Sequence, residues 1–251
     1  MTTPPSTSST LREPQLLGQT VLLIGGSAGI GLETARRARN EGAEIVLVGR
    51  DPHRLERAAA DVGAHRTAAF DATDSARLDR FFAELSEPID HVLITAGGNY
   101  YARLADLDFT RARGLIEDHL LLPLRVGRAS VGKVRPTGTL LFMGASDPRP
   151  GLGSVLTGSV GAALPVLIAN LALELAPVRV NLIAAGFVDT PLSARLLGDG
   201  LEARRAELRA TLPTGRVVES EDVAALAVHI MTNTAVTGAT YDIDGGQQFV
   251  S

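Results

Sequence analysis

The chain has 251 residues, 45% of them hydrophobic, and a formal net charge of −4 from 24 basic and 28 acidic side chains. That length suits one large α/β domain, and the mild charge balance carries no footprint for nucleic acid or an acidic membrane surface. Cysteine is absent, which excludes disulfides, thiolate catalysis and Cys-ligated metals. Residues 1–15, MTTPPSTSSTLREPQ, are polar and rich in Ser, Thr and Pro, and are expected to form a disordered tail before a domain over 16–251. They lack the charged and then apolar run of a signal peptide, and no apolar run further on is read as reaching the roughly 18 residues of a membrane helix. The expectation is a cytoplasmic protein without a membrane or nucleic-acid partner.

Short β-rich runs then alternate with amphipathic segments. TVLLIG (20–25) reads as a strand buried on both faces, followed by a Gly-rich turn and a helix to about Asn40. EIVLVG (44–49) is a second strand with a helix over 52–61, and HRTAAFD (65–71) a third with a helix over 75–86. HVLITAG (91–97) is a fourth, and one long helix is expected over 109–134. TGTLLFMG (137–144) is a fifth strand, a helix ends near Ala176, and VRVNLIA (178–184) is a sixth strand. A helix over 219–232 and a last strand, ATYDIDGG (239–246), complete the chain. Alternating β and α with near-continuous apolar strands predicts an α/β fold: a single-domain, doubly wound parallel sheet of the Rossmann kind.

The first turn reads Gly25-Gly26-Ser27-Ala28-Gly29-Ile30-Gly31, between a strand and a helix. Glycines there let the backbone approach a pyrophosphate, and the helix N-terminus offers free N–H groups. At the end of the second strand an acid would bind the ribose 2′-OH of NAD, whereas an Arg accommodates the 2′-phosphate of NADP. The sequence places Arg50 there with Asp51 next, so NADP(H) is favoured over NAD(H).

The Gly25–Gly31 turn resembles the Gly-x-x-x-Gly-Ile-Gly turn of the short-chain dehydrogenase/reductase family, and the resemblance extends from Gly18 to the C-terminus. Ile94-Thr95-Ala96-Gly97 is similar to the family's Asn-Asn-Ala-Gly, and Asp71 to its adenine-side acid. LALELAPVRVNLIAAGFVDTP (171–191) resembles the stretch after the catalytic helix, with Ala185-Gly186 where Pro-Gly is usual. Val236-Thr237-Gly238 with Asp244-Gly245-Gly246 matches the C-terminal strand. The resemblance implies cofactor contacts from Gly25, Ser27, Ala28, Gly29, Ile30, Gly31, Arg50, Asp71, Ala72, Ala96, Gly97, Gly186, Val188 and Thr190. It also implies a substrate lid at about 191–213 and assembly into dimers or tetramers, for which the apolar helix 162–176 is suitable.

The family reduces carbonyls with Ser, Tyr and Lys. Tyr supplies the proton, its pKa lowered by a Lys one helical turn on. Counting back from LALELAP places Thr157 at the Tyr position, Gly161 at the Lys position and Ala145 at the Ser. Composition makes the same point without alignment: the three Tyr are 100, 101 and 241, the single Lys is Lys133, and no Tyr-x-x-x-Lys exists. Pro165 would kink the helix or delay its start.

Three side chains are candidate replacements: His119, where the family's relay Asn would fall, Tyr100, and Ser146. His119 has a suitable reference pKa near 6.5, although a satisfied helix His is the favoured reading. Tyr100 and Tyr101 follow the fourth strand and are expected to wall the pocket. Ser146, Asp147 and Arg149 follow the fifth strand, where Asp147-Pro148 reads as a turn. Ser159 is read as a cap or a substrate contact. His53, His65, His91 and His229 share no metal-ligand spacing, so no metal is expected. The expected function is an atypical NADPH-dependent ketoreductase of a small, conjugated, natural-product-like substrate. A non-catalytic NADP(H) sensor or scaffold, and a cofactor-assisted isomerase or dehydratase, are the alternatives.

Overall fold

The computed structural model describes residues 13–146 and 150–250. Strands β1 (Thr20–Ile24), β2 (Glu44–Gly49), β3 (Arg66–Ala69), β4 (Ile89–Ile94), β5 (Val134–Ala145) and β6 (Arg179–Ala185) lie in one parallel sheet with β9 (Thr240–Ile243). A short pair, β7 (Val188–Asp189) and β8 (Val218–Glu219), stands apart. The seven strands run in the order β3-β2-β1-β4-β5-β6-β9, so the winding reverses beside β1 and leaves a crevice at the carboxyl ends of β1 and β4.

Side-chain alternation along each strand feeds two cores. On one face Leu22, Val46, Val92, Leu140 and Leu182 pack with α3 (Ser75–Ala83), α5 (Leu122–Ser130) and α6 (Val155–Glu174). On the other, Val21, Leu23, Ile45, Leu93, Leu141 and Ile183 pack with α1 (Gly29–Asn40), α2 (Pro52–Val62) and α9 (Ser220–Thr232). Burial on both faces explains why these strands read as unbroken apolar runs.

The helix expected over 109–134 is instead three pieces: α4 (Phe109–Ile116), a π turn over Glu117–Leu121, and α5. Pro123 is the physical reason. It has no N–H for the carbonyl of His119 and its ring crowds that carbonyl, so the chain widens by one residue there. The chain leaves α5 through Gly132, at φ +71°, and β5 begins at Val134, three residues before the expected start.

α6 begins at Val155 and continues past Pro165, and one expectation is corrected: its 20 residues carry no charge before Glu174, which is membrane-spanning length and composition. Gly, Ser, Thr and Asn interrupt the apolar run in sequence. In the helix the Ser159 and Asn170 side chains turn back to the carbonyls of Val155 and Val166. Here α6 packs along β5 and β6, with Leu164 and Ile168 in the core.

One polar row crosses the opposite edge of the sheet from the crevice. His91, Thr139 and Arg179 are aligned neighbours on β4, β5 and β6, and all are buried. Arg179 donates to the carbonyls of Ile230 and Met231 at 2.8 Å each, closing the C-terminus of α9. The His91 Nε2 lies 2.6 Å from Gln19 Oε1.

Candidate active site

The crevice is a cavity of about 350 Å³, within the range of small-molecule sites. Gly25, Ser27, Ala28, Gly29, Ile30, Arg50, Asp71, Ala72, Ala96, Gly97 and Thr190 all line it. Three residues assigned to the cofactor do not. Gly31 packs beneath the turn, Gly186 against Asp244, and Val188 is buried in β7.

The turn after β1 is built by close approach. Gly25 adopts φ +102°, and its N–H donates to Val48 O at 2.9 Å. A Cβ on Gly31 would fall 2.5 Å from the Gly25 carbonyl oxygen and 2.7 Å from Thr95 Oγ1. Gly31→Ala is therefore expected to push the turn and α1 apart, with a lower melting temperature and loss of dinucleotide binding. Thermal melts and a fluorescence titration with NADPH check this, and unchanged binding would refute it.

At the end of β2 the two charged residues have different surroundings. Asp51 caps α2, its Oδ1 accepting the Arg54 N–H at 3.0 Å, and that bond holds its carboxyl below the usual range. Arg50 stays open, 78% exposed and only loosely paired with Asp71 at 4.0 Å, and Arg54 joins it on the cavity wall. Asp71 holds Thr73 through Oδ1, accepting its N–H at 3.0 Å and its hydroxyl at 2.8 Å. Arg125 fixes the same turn, donating to Thr73 O at 2.8 Å while paired with Glu117.

The π turn contributes two adjacent side chains. Asp118 Oδ2 accepts the Gly98 N–H at 3.1 Å, and His119 Nε2 donates to the Gly98 carbonyl at 3.0 Å. Together they grip both polar groups of one residue and hold the segment after β4. Asp118 also lines the cavity, and burial raises its carboxyl above the usual range. His119 Nε2 must carry a hydrogen to bond a carbonyl, so only the imidazolium would have a proton left to give, from Nδ1.

The structure separates the remaining candidates. Tyr100 is buried, its hydroxyl oxygen accepting the Asp108 N–H at 2.7 Å and its ring 4.3 Å from the Arg111 guanidinium carbon. It packs in a small cluster with Ala112, Leu115 and Val160, Tyr101 is exposed, and neither tyrosine lines the crevice. Ser146 is buried just past β5, its N–H donating to Ala185 O at 2.9 Å. Asp147 and Arg149 lie outside the described residues. Ser159 bonds its own helix, and Lys133 donates to Ala83 O and Leu85 O at the other end of β5. Thr157 donates its hydroxyl to the Tyr100 carbonyl, and Gly161 is buried in α6.

The family model described as enoyl-(acyl carrier protein) reductase matches residues 25–248, nearly all of the folded chain. The chain belongs to the short-chain dehydrogenase/reductase family. It is 29% identical to the short-chain dehydrogenase/reductase ATR9 of Stachybotrys chlorohalonatus, over 93% of this chain and 98% of that one. It is 27% identical to an NADP-dependent (R)-specific alcohol dehydrogenase of Lentilactobacillus kefiri, over 92% and 97%. The solved structure of the MalC reductase/Diels–Alderase of Malbranchea aurantiaca superposes with a TM-score of 0.86 at 26% identity, covering 93% of this chain and 98% of that one.

Family members use nicotinamide cofactors, and the cavity fits one. Its glycine turn opens on the N-terminus of α1, the place for a pyrophosphate, and basic side chains stand at the β2 end. Arg54, Asp118, Leu192 and Arg195 also line it and were not singled out from sequence. Arg54 carried a usable signal, one turn after Arg50. Asp118 and Arg195 reach the cavity only through tertiary packing.

Proposed function

We propose that this short-chain dehydrogenase/reductase is an NADPH-dependent reductase that does not use the family's Tyr acid. Its substrate would be an already polarised acceptor such as a quinone, enone or iminium, of natural-product-like size. One observation carries the reading: at the Tyr and Lys positions stand Thr157, whose hydroxyl is engaged by the Tyr100 carbonyl, and Gly161, which has no side chain. The bound cofactor would supply hydride to carbon. An iminium needs no proton at nitrogen to be reduced, and a quinone oxygen can be protonated by water after hydride arrives. The role left to the protein is to bind, orient and exclude bulk solvent. The segment at about 191–213 is read as the lid; it carries α7 (Pro191–Leu197) and α8 (Leu201–Thr211), moored by Arg205 to Asp189 through two 2.7 Å bonds.

NADP(H) is favoured over NAD(H) because Arg50 and Arg54 present two cations where Asp51 is already engaged as a cap. The alcohol dehydrogenase of Lentilactobacillus kefiri, described as NADP-dependent, supports the same choice. The outer face of α6, with Val166 65% and Leu173 79% exposed, is offered as a homo-oligomer contact, to be checked by sedimentation.

The test is NADPH consumption with a panel of quinones, enones, iminium salts and simple ketones, repeated with His119→Ala, Tyr100→Phe and Ser146→Ala. Activated acceptors are expected to turn over, with no variant lowering kcat more than a few-fold. A loss on the order of 100-fold in one variant would identify a side-chain acid and overturn the reading. Tight NADPH binding with no turnover on any acceptor would favour a sensor.

A further inference from the structure

We propose that Arg195 is a pyrophosphate clamp carried by the lid, so that lid closure depends on a bound dinucleotide. The inference rests on the nicotinamide-cofactor reading and assigns it a residue of this chain. Arg195 lies on α7 and lines the same cavity as the glycine turn. It is the cavity-lining cation among the four arginines of α7 and α8. Arg204 is paired with Glu207 at 2.8 Å, and Arg205 with Asp189 and Glu202. Arg209 is exposed and away from the cavity. Arg195 is exposed, and among the described residues no acid forms an ion pair with it, so its guanidinium is available at the cavity.

The attachment of α7 explains why this cation would follow the cofactor. Thr190 caps α7, accepting the Ser193 N–H at 3.2 Å while Ser193 Oγ lies 2.8 Å from the Thr190 N. The same Thr190 lies against the glycine turn, its Cβ 3.7 Å from where a Cβ on Gly29 would stand. The start of α7 is therefore seated on the pyrophosphate turn, and Arg195 is one turn further along. A diphosphate between them would meet N–H groups of α1 on one side and a guanidinium on the other, an arrangement suited to paired hydrogen bonds. Leu192, Leu196 and Leu197 share the helix and would be carried inward with it.

The experiment compares wild type with Arg195→Gln, Arg195→Lys and the control Arg209→Gln. The probes are NADP⁺ and adenosine 2′-monophosphate, which has the 2′-phosphate but no diphosphate. Arg195→Gln is expected to weaken NADP⁺ roughly tenfold, a single charge-assisted pair, and to leave adenosine 2′-monophosphate unchanged. Arg195→Lys recovers part of the loss and Arg209→Gln shows none. Chymotrypsin supplies a readout free of activity. NADP⁺ is expected to protect the leucine sites of α7 in wild type and not in Arg195→Gln, while adenosine 2′-monophosphate protects neither. Equal losses for both probes, or undiminished protection in Arg195→Gln, would overturn the clamp while leaving the cofactor reading intact. A wild-type protein that binds no dinucleotide would overturn both.

Discussion

Replacing Arg50 with Glu is expected to weaken NADPH roughly 30- to 150-fold and to leave NADH within a few-fold of wild type. The estimate is about 2–3 kcal/mol, one charge-assisted bond to a phosphate removed and one like-charge contact added. It is set below the value for a buried pair because the Arg50 side chain is 78% exposed and solvent screens it. The asymmetry between the cofactors is the informative part. NADH has no 2′-phosphate to lose, and the introduced carboxylate would accept from its ribose hydroxyls. Asp51 is not placed for that service: it does not line the cavity, and its Oδ1 is turned to cap the Arg54 N–H. Fluorescence titrations at two ionic strengths decide the matter, since the NADPH loss should shrink as salt screens the phosphate. Equal losses for both cofactors would mean that Arg50 acts on the fold of the strand end and not on the 2′-phosphate.

The parts of this protein that were legible in its sequence are those governed by local rules. Strands such as TVLLIG and EIVLVG are buried on both faces, so burial alone produces their apolar runs. The glycine turn was legible because no other residue tolerates the 2.5 Å approach at Gly31. The absence of a Tyr-x-x-x-Lys pair was legible for the simplest reason: the chain has one Lys, Lys133, and no Tyr stands four residues before it. The π turn was not read, because the helix expected over 109–134 runs straight through Pro123 and the apolar pattern does not show how the chain widens to accommodate the missing N–H. Asp118 and Arg195 escaped notice for a different reason. Asp118 stands beside Glu117 on the π turn and Arg195 is one of four arginines across α7 and α8, and only packing decides which of them enters the cavity. His119 was read from spacing as a candidate donor, with a satisfied helix His favoured, and its Nε2 is placed on the Gly98 carbonyl, next to the same residue's N–H on Asp118.

Acid is expected to destabilise the fold well before its ion pairs titrate, and His91 is the reason. Burial, with a smaller push from the Arg179 charge, lowers its pKa to about 3 from an ordinary 6.5. Below 6.5 the unfolded chain therefore takes up a proton that the folded chain refuses. Stability is full above that pH, and is lost as pH falls from 6.5 towards 3, by about 1.4 kcal/mol per pH unit. At about pH 5 the loss relative to pH 7 is roughly 2 kcal/mol, a large share of the margin of a typical domain. The polar row makes this costly to relieve. His91 sits between Gln19, at 2.6 Å from its Nε2, and the row that leads through Thr139 to Arg179, and its Nδ1 has no partner. An imidazolium there would face a guanidinium without an acid between them. Urea unfolding at pH 7 and pH 5 measures the effect, and His91→Gln supplies the control because it can keep a contact with Gln19 without titrating. The variant is expected to be less stable than wild type at pH 7, through imperfect packing, yet to lose about 2 kcal/mol less on going to pH 5. The sign of that difference separates His91 from the carboxylates. Asp222, held below its usual pKa by Arg216, contributes stability that is lost only as pH falls below about 3.8. A pH 5 loss that persists undiminished in His91→Gln would place the acid sensitivity elsewhere in the chain.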